Sequence, residues 1–96
     1  MTNKTALKVK KRYHVYILLC ADKTLYTGIT NDLARRLAQH KAGTASHYTR
    51  AHKVKKIVYS EICKNKGLAL KREFAIKQLS RAAKLDLLKR FNKAIE

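Results

Sequence analysis

The sequence predicts an α/β (α+β) sandwich: a three-stranded antiparallel sheet with its first strand central, flanked by three helices. Three observations carry that expectation. From His14 to Cys20 the chain is apolar at odd and even positions alike (Val15, Ile17, Leu19 against Tyr16, Leu18, Cys20), which marks a strand buried on both faces. Val54 to Cys63, VKKIVYSEIC, is β-branched and aromatic enough to be a second long strand. Between and after these, apolar residues recur at helical spacing behind capping residues.

Taken in order, the central strand leads into Ala21-Asp22-Lys23-Thr24, a polar turn without the Asn-Gly or Asp-Gly pair that favours a tight hairpin. Leu25 to Ile29 is the second strand, and on it Tyr26 is expected to face Tyr16. Gly28 interrupts that strand. A glycine there weakens the strand and is found where another group approaches the backbone, so the missing side chain is read as room for a ligand. Thr30, Asn31 and Asp32 supply cap chemistry for a helix whose stripe is Leu33, Ala34, Leu37 and Ala38, with Arg36 and His40 four apart along one edge. Lys41-Ala42-Gly43 ends it. Thr44 to Lys53 reads as a polar loop holding His47, Tyr48, Arg50 and His52, suited to phosphate and base contacts or simply solvated.

Val54 to Cys63 is expected on the side of the central strand away from the second. After a turn at 64–67, Leu68 to Leu79 reads as a helix with Leu70, Phe74 and Leu79 inward. Ser80 caps a last helix, Arg81 to Ile95, with Leu85, Leu88, Phe91 and Ile95 as its stripe. Glu73 flanks the buried face of the middle helix among Lys71, Arg72 and Lys77. Two readings of it are open: an ion pair with a neighbouring cation, or a hard oxygen ligand for Mg²⁺ completed by phosphate oxygens.

Length and charge bound the function. With 96 residues there is room for one compact domain, expected over 13–96 and preceded by a basic arm at 1–12, which either tracks a phosphate backbone or is a solvated leader. The 23 Lys and Arg against 6 Asp and Glu give a formal charge of +17. Such an excess repels itself unless a polyanion is bound, so nucleic acid is the expected partner. A membrane is not, since no stretch is long enough to span one and no helix combines a wide apolar face with interfacial aromatics. No signal peptide is visible. Cys20 and Cys63 lack metal-ligand spacing and read as buried free thiols of a cytoplasmic protein.

The ordered set His14-Val15-Tyr16, Tyr26-Thr27-Gly28, Thr30, Leu33, Arg36 and His40 resembles the GIY-YIG nuclease domain. Ala69-Leu70-Lys71-Arg72-Glu73, followed by Lys77 and Ser80-Arg81, is similar to that family's helix bearing the catalytic glutamate. The likeness runs from about Tyr13 to Leu88. It is strongest to the small stand-alone bacterial members, of which Tyr48-Thr49-Arg50 is also typical. Two departures stand out: the first triplet reads His-Val-Tyr, and Lys84-Leu85-Asp86 occupies the region where larger family nucleases carry an asparagine, Asn92 lying too late.

The resemblance implies phosphodiester hydrolysis with one divalent metal, Mg²⁺ or Mn²⁺, held by Glu73. It implies that Tyr26 orients or deprotonates the attacking water with Tyr16 hydrogen-bonded nearby, that Arg36 offers planar donors to the phosphate, and that His40 donates to the phosphate or assists the base or leaving group. Gly28, Tyr48, Arg50 and Lys77 are the expected nucleic-acid contacts; His14, His47 and His52 stay unassigned. The expected function is a metal-dependent endonuclease acting on DNA, structured DNA and RNA being within the same chemistry, with DNA repair suggested by relatives. A protein partner supplying target specificity is part of that expectation. Two alternatives stand beside it: a non-catalytic nucleic-acid-binding module of the same fold, and a scaffold for an acidic protein.

Overall fold

Strand β1 (Tyr13–Cys20) runs through the middle of a three-stranded antiparallel sheet, with β2 (Leu25–Thr30) on one side and β3 (Val54–Cys63) on the other. The structure, a computed structural model, describes residues 12–95. The basic arm expected at 1–12 falls outside these, Arg12 excepted. In chain order the remaining elements are α1 (Leu33–Ala42), α2 (His47–His52), α3 (Lys66–Lys77) and α4 (Arg81–Ile95). The strand order and the central position of β1 are as the two-sided apolar run requires: Val15, Tyr16, Ile17 and Leu18 are all buried.

The two faces of β1 carry different cargo. Val15 and Ile17 join Tyr59 of β3 and Ala69 and Ile76 of α3 in one apolar cluster, against which Leu87, Leu88 and Phe91 of α4 pack. On the opposite face, because successive side chains alternate, Tyr16 meets His40 of α1. Helices therefore cover both sides of the sheet. Strand β3 is two residues longer than β1, and register shifts between Ile17 and Leu18 and between Leu19 and Cys20 absorb the difference.

The β1–β2 turn forms without an Asn-Gly pair because the Asp22 side chain holds it. Its carboxylate accepts from the backbone N–H (3.2 Å) and the hydroxyl (2.6 Å) of Thr24, while Lys23 takes the left-handed conformation at φ 70°. Helix α1 begins and ends where expected, with Asp32 accepting from Arg35 N–H at the start and Gly43 at φ 81° at the stop.

Two expectations about helices are corrected. The stretch 44–53 is not all loop. Ser46 caps the six-residue α2, accepting from Thr49 N–H at 3.1 Å, and this short helix packs on α1 beside the three helices expected on the sheet. The inward face of α3 is also different. Leu70, Phe74 and Leu79 are exposed, Phe74 by 66%, while Ala69 and Ile76 are fully buried. The row turned to the sheet is Ala69, Arg72, Glu73 and Ile76, at i, i+3, i+4 and i+7, with two half-buried charged residues between the two buried ones. Arg72 Nε donates to Glu61 Oε1 at 3.0 Å, so a polar row that reads as surface is the one turned inward. Helix α4 has its expected bounds. Ser80 Oγ accepts from Ala83 N–H (3.1 Å) at its start, and Leu88 and Phe91 face the core but Leu85 is 41% exposed. The Ile95 side chain lies outside those described.

Candidate active site at the open edge of the sheet

The site is built around Tyr16. Its cross-strand partner is Gly28, while Tyr26 lies opposite Leu18, so the two tyrosines are diagonal neighbours and do not face each other directly as expected. The reason is visible at Gly28. A β-carbon there would lie 2.6 Å from the Tyr16 hydroxyl oxygen and 2.8 Å from Cζ. The Tyr16 ring therefore lies across the glycine, toward the free edge of β2, and it fills the space that was expected to receive a ligand.

Helix α1 closes over this ring and turns its polar residues inward. His40 is 1% exposed and donates or accepts at both ring nitrogens: Nε2 lies 2.8 Å from the Tyr16 hydroxyl and Nδ1 2.8 Å from Thr49 Oγ1 of α2. Burial, and then the charge of Arg36, hold the imidazole below its ordinary pKa of 6.5, so it is neutral at pH 7. Arg36 lies one turn before it. Its Nη1 donates to Gln39 Oε1 at 3.1 Å, and its Nε is buried with no partner.

Burial is also the main influence on the Tyr16 phenol, raising its pKa. The Arg36 guanidinium works in the opposite direction, and the nearby charges of Tyr26 and Glu73 raise it further. Glu73 thus stands within electrostatic reach of the phenol, brought there by α3, which packs on both β1 and β2. Its side chain is 19% exposed and pairs with Lys77 at 3.1 Å. Tyr16 and His40 are in hydrogen-bond contact, with Arg36 one turn before His40, while Glu73, on α3, is linked to them only by its charge.

The outer residues sort into two groups. Tyr26 is half-buried, meets the edge of His40 (5.2 Å between ring centres, 62°) and stacks on Tyr48 (5.7 Å, 29°). Tyr48 in turn stacks on His52 at 4.1 Å, and His52 pairs with Asp22 of the hairpin turn. The column Tyr26–Tyr48–His52 ties α2 to the hairpin, and it leaves Tyr48 38% exposed. Arg50 lies apart, with its stem against Gly43 at the end of α1. Lys77 joins the site through its pair with Glu73. His14 and His47 make no hydrogen bond to these residues.

Two residues were not expected in the site, although Thr49 stands in the Tyr48-Thr49-Arg50 run. Thr49 is 1% exposed, and Ser46 Oγ lies 2.9 Å from its hydroxyl. The spacing Ser46-x-x-Thr49 at a helix start is the signal that could have exposed them.

Among the described residues no group of three or more His, Cys, Asp and Glu side chains could cage a metal. Glu73 fits a different kind of site. One hard carboxylate, reachable from solvent, suits an Mg²⁺ or Mn²⁺ ion that keeps its waters and takes further oxygens from a bound phosphate, and the buried Arg36 Nε with no partner is a donor such a phosphate could use.

Comparison with known proteins identifies the family. The model of the GIY-YIG catalytic domain matches residues 12–86. A UPF0213 protein of Lactiplantibacillus plantarum is 50% identical over 80 residues, covering 81% of this chain and 79% of its own, and one of Natronomonas pharaonis is 47% identical over 76 residues, covering 79% and 89%. The solution NMR structure of a UPF0213 protein from Bacillus halodurans superposes with a TM-score of 0.54 at 36% identity, over 81% of this chain and 83% of that one. The chain belongs to the GIY-YIG family, a family of nuclease-type catalytic domains.

Proposed function

We propose that this protein is a metal-dependent endonuclease that hydrolyses phosphodiester bonds in DNA, using Tyr16, Tyr26, Arg36, His40 and Glu73. The observation that carries the reading is the buried Arg36 Nε, without a partner, beside the Tyr16–His40 pair and a single carboxylate. A buried donor left unpaired costs about 1–3 kcal/mol. An anionic phosphate oxygen would recover that cost, and the +17 charge favours such a ligand reaching the site.

The chemistry follows from the donors and acceptors present. Arg36 binds the phosphate and meets the charge that builds on its oxygens as the attacking water closes on phosphorus. Tyr16, in place of the Tyr26 first expected in this role, takes a proton from that water as its own hydroxyl proton passes to His40 Nε2, the partner it already bonds. The P–O bond to the leaving group breaks, the leaving oxygen is protonated from solvent, and the imidazolium returns its proton to solvent afterwards. A phenol with an ordinary pKa of about 10 is a weak base alone; the acceptor behind it and the cation beside it make the transfer feasible. Tyr26 packs on the edge of His40 and limits water there. Glu73 would hold the divalent ion, which when bound supplies Lewis-acid stabilisation to the same phosphate. Gly28 gives the Tyr16 ring its place. Tyr48, Arg50 and Lys77 extend the basic, aromatic surface along which the strand lies.

The test is cleavage of a labelled panel of single-stranded, duplex, flap and branched DNA, and of RNA, with Mg²⁺ or Mn²⁺. Glu73→Ala is expected to abolish cutting and leave binding equal or tighter, since a negative charge has left a basic groove. Binding is expected to weaken steeply with salt, with log K falling by about 0.9 per neutralised duplex phosphate for each tenfold rise in salt. Cutting that survives in Glu73→Ala would remove the carboxylate from the mechanism.

One observation favours the alternative of a non-catalytic binding module. In the region where larger relatives carry an asparagine, Asp86 pairs with Arg90 at 3.4 Å on an exposed face of α4, its side chain 65% exposed. It supplies nothing to the site. Tight, salt-sensitive binding without cuts under any metal would establish that reading.

A further inference from the structure

We propose that Thr49 is a positioning residue, whose hydroxyl, steadied by Ser46, fixes His40 as the tautomer protonated at Nδ1 and so reserves the Nε2 lone pair for the Tyr16 hydroxyl. The four side chains form a continuous line: Tyr16 Oη to His40 Nε2 at 2.8 Å, His40 Nδ1 to Thr49 Oγ1 at 2.8 Å, and Thr49 Oγ1 to Ser46 Oγ at 2.9 Å. Distances alone do not say which way the protons point. Counting donors and acceptors does.

A neutral imidazole has one N–H and one lone pair, so the line can run in only two directions. In one, His40 Nε2–H donates to Tyr16. The Tyr16 proton then needs an acceptor elsewhere, but this residue is 2% exposed, and a guanidinium such as the nearby Arg36 can only donate. A buried hydroxyl would be stranded. In the other direction every group is satisfied. Tyr16 donates to His40 Nε2, His40 Nδ1–H donates to Thr49, and Thr49 donates to Ser46.

The far end of the line accepts that direction. Ser46 Oγ already accepts from Thr49 N–H at 3.1 Å and has a second lone pair for the Thr49 hydroxyl, and the Ser46 carbonyl, which can only accept, lies 3.4 Å from the same hydroxyl. Ser46 is itself half-buried, so its own proton can reach water. The cap of α2 thereby sets the protonation state of a histidine on α1. No feature of α1 alone would do so.

The assignment of the tautomer stands on the hydrogen bonds; its catalytic consequence rests on the nuclease reading above, in which Tyr16 hands its proton to His40. The experiment separates the two. In ¹⁵N-labelled protein at neutral pH, long-range proton–nitrogen correlation of the imidazoles, with His40 identified by its loss in His40→Gln, is expected to show Nδ1 protonated and Nε2 bare. Protonation at Nε2 overturns the proposal, whether or not the protein cuts DNA.

Thr49→Val, which keeps the shape and removes the hydroxyl, is expected to shift His40 toward the Nε2-protonated form and to lower the cleavage rate about 10- to 100-fold, the range for losing a group that orients a functional histidine. Thr49→Ser is expected to restore both. A Val variant that keeps the Nδ1 proton and the wild-type rate overturns the proposal. If the Val variant fails to fold, the wild-type spectrum and that of Thr49→Ser still decide the tautomer. Absence of cleavage by the wild-type protein on every substrate would defeat the nuclease reading and leave the tautomer to be read as before.

Discussion

Gly28→Ala puts two effects of opposite sign in competition, and the structure says which wins. In an open strand the change would stabilise the protein by about 0.5–1 kcal/mol, because glycine loses more backbone freedom on folding than alanine. Here the new β-carbon would stand 2.6 Å from the Tyr16 oxygen. The phenol must retreat by roughly 0.8 Å to restore ordinary contact, and a retreat of that size stretches its 2.8 Å bond to His40 Nε2 to a length of about 3.6 Å, where it no longer counts as one. Overpacking costs about 1–3 kcal/mol and the lost hydrogen bond about 1 kcal/mol more. The net is a destabilisation of about 1–3 kcal/mol, and each kcal/mol lowers the melting temperature of a domain this size by about 4–8 °C. Thermal melts followed by circular dichroism measure it, and the His40 imidazole signals report whether Tyr16 has moved. An alanine variant that melts higher than wild type, with those signals unmoved, would refute the account of why position 28 lacks a side chain.

Three further outcomes are expected. His40, held below its ordinary pKa chiefly by burial and secondarily by Arg36, binds fewer protons folded than unfolded; stability is therefore full above about pH 6.5 and falls as pH drops below it, a slope that urea titrations at several pH values should find reduced in His40→Gln. The Asp22 carboxyl is lowered to about 2, first by its hydrogen bonds from Thr24 and then by His52, so its contribution is present above the ordinary 3.8 and lost as pH falls toward 2, and Asp22→Asn is expected to flatten acid unfolding in that window. Ile76→Ala, at a fully buried position, should cost about 2–5 kcal/mol, whereas Phe74→Ser, at a position 66% exposed, should stay within about 0.5 kcal/mol; the reverse ranking in urea denaturation would restore the inward face first expected for α3.

How much of this was legible depends on what kind of pattern carried it. The central strand was readable because a short run apolar on both faces suits a strand covered from both sides and little else, and the ends of α1 because Asp32 and Gly43 are chemically suited to a start and a left-handed stop. The inward face of α3 was not. Its stripe of leucines and Phe74 is the larger apolar one, yet the helix turns Ala69, Arg72, Glu73 and Ile76 to the sheet. A small Ala69 lets the helix come close, and Glu61 waits on β3 for Arg72. That partner is eleven residues away in sequence and shows only when β3 and α3 are placed together. The hairpin register was hidden for a similar reason. The cross-strand pairing that sets Tyr16 over Gly28 follows a turn held by the Asp22 side chain, and turn chemistry of that sort is harder to read than an Asn-Gly pair.

The same failure of pattern explains where the site lies. Hydrophobic periodicity placed Arg36 and His40 at the edge of the α1 stripe, and by apolar count that is where they belong. In the folded chain Ala34 and Ala38 are exposed, and the face turned to the sheet is Leu33, Arg36, Leu37 and His40. A helix gains nothing in stability from burying a guanidinium with an unpaired Nε, and burial opposes charge on both His40 and Tyr16. A small domain has little margin for such losses. On the proposed reading the arrangement gains a proton path with a neutral base behind a phenol and a cation near it, in surroundings where each hydrogen bond is electrostatically stronger than it would be in solvent. On the proposed nuclease reading the residues that break the apolar pattern of α1 are therefore the ones assigned its chemistry, and a phosphate at the Arg36 donor would return to the fold part of the stability that the unpaired Nε costs it.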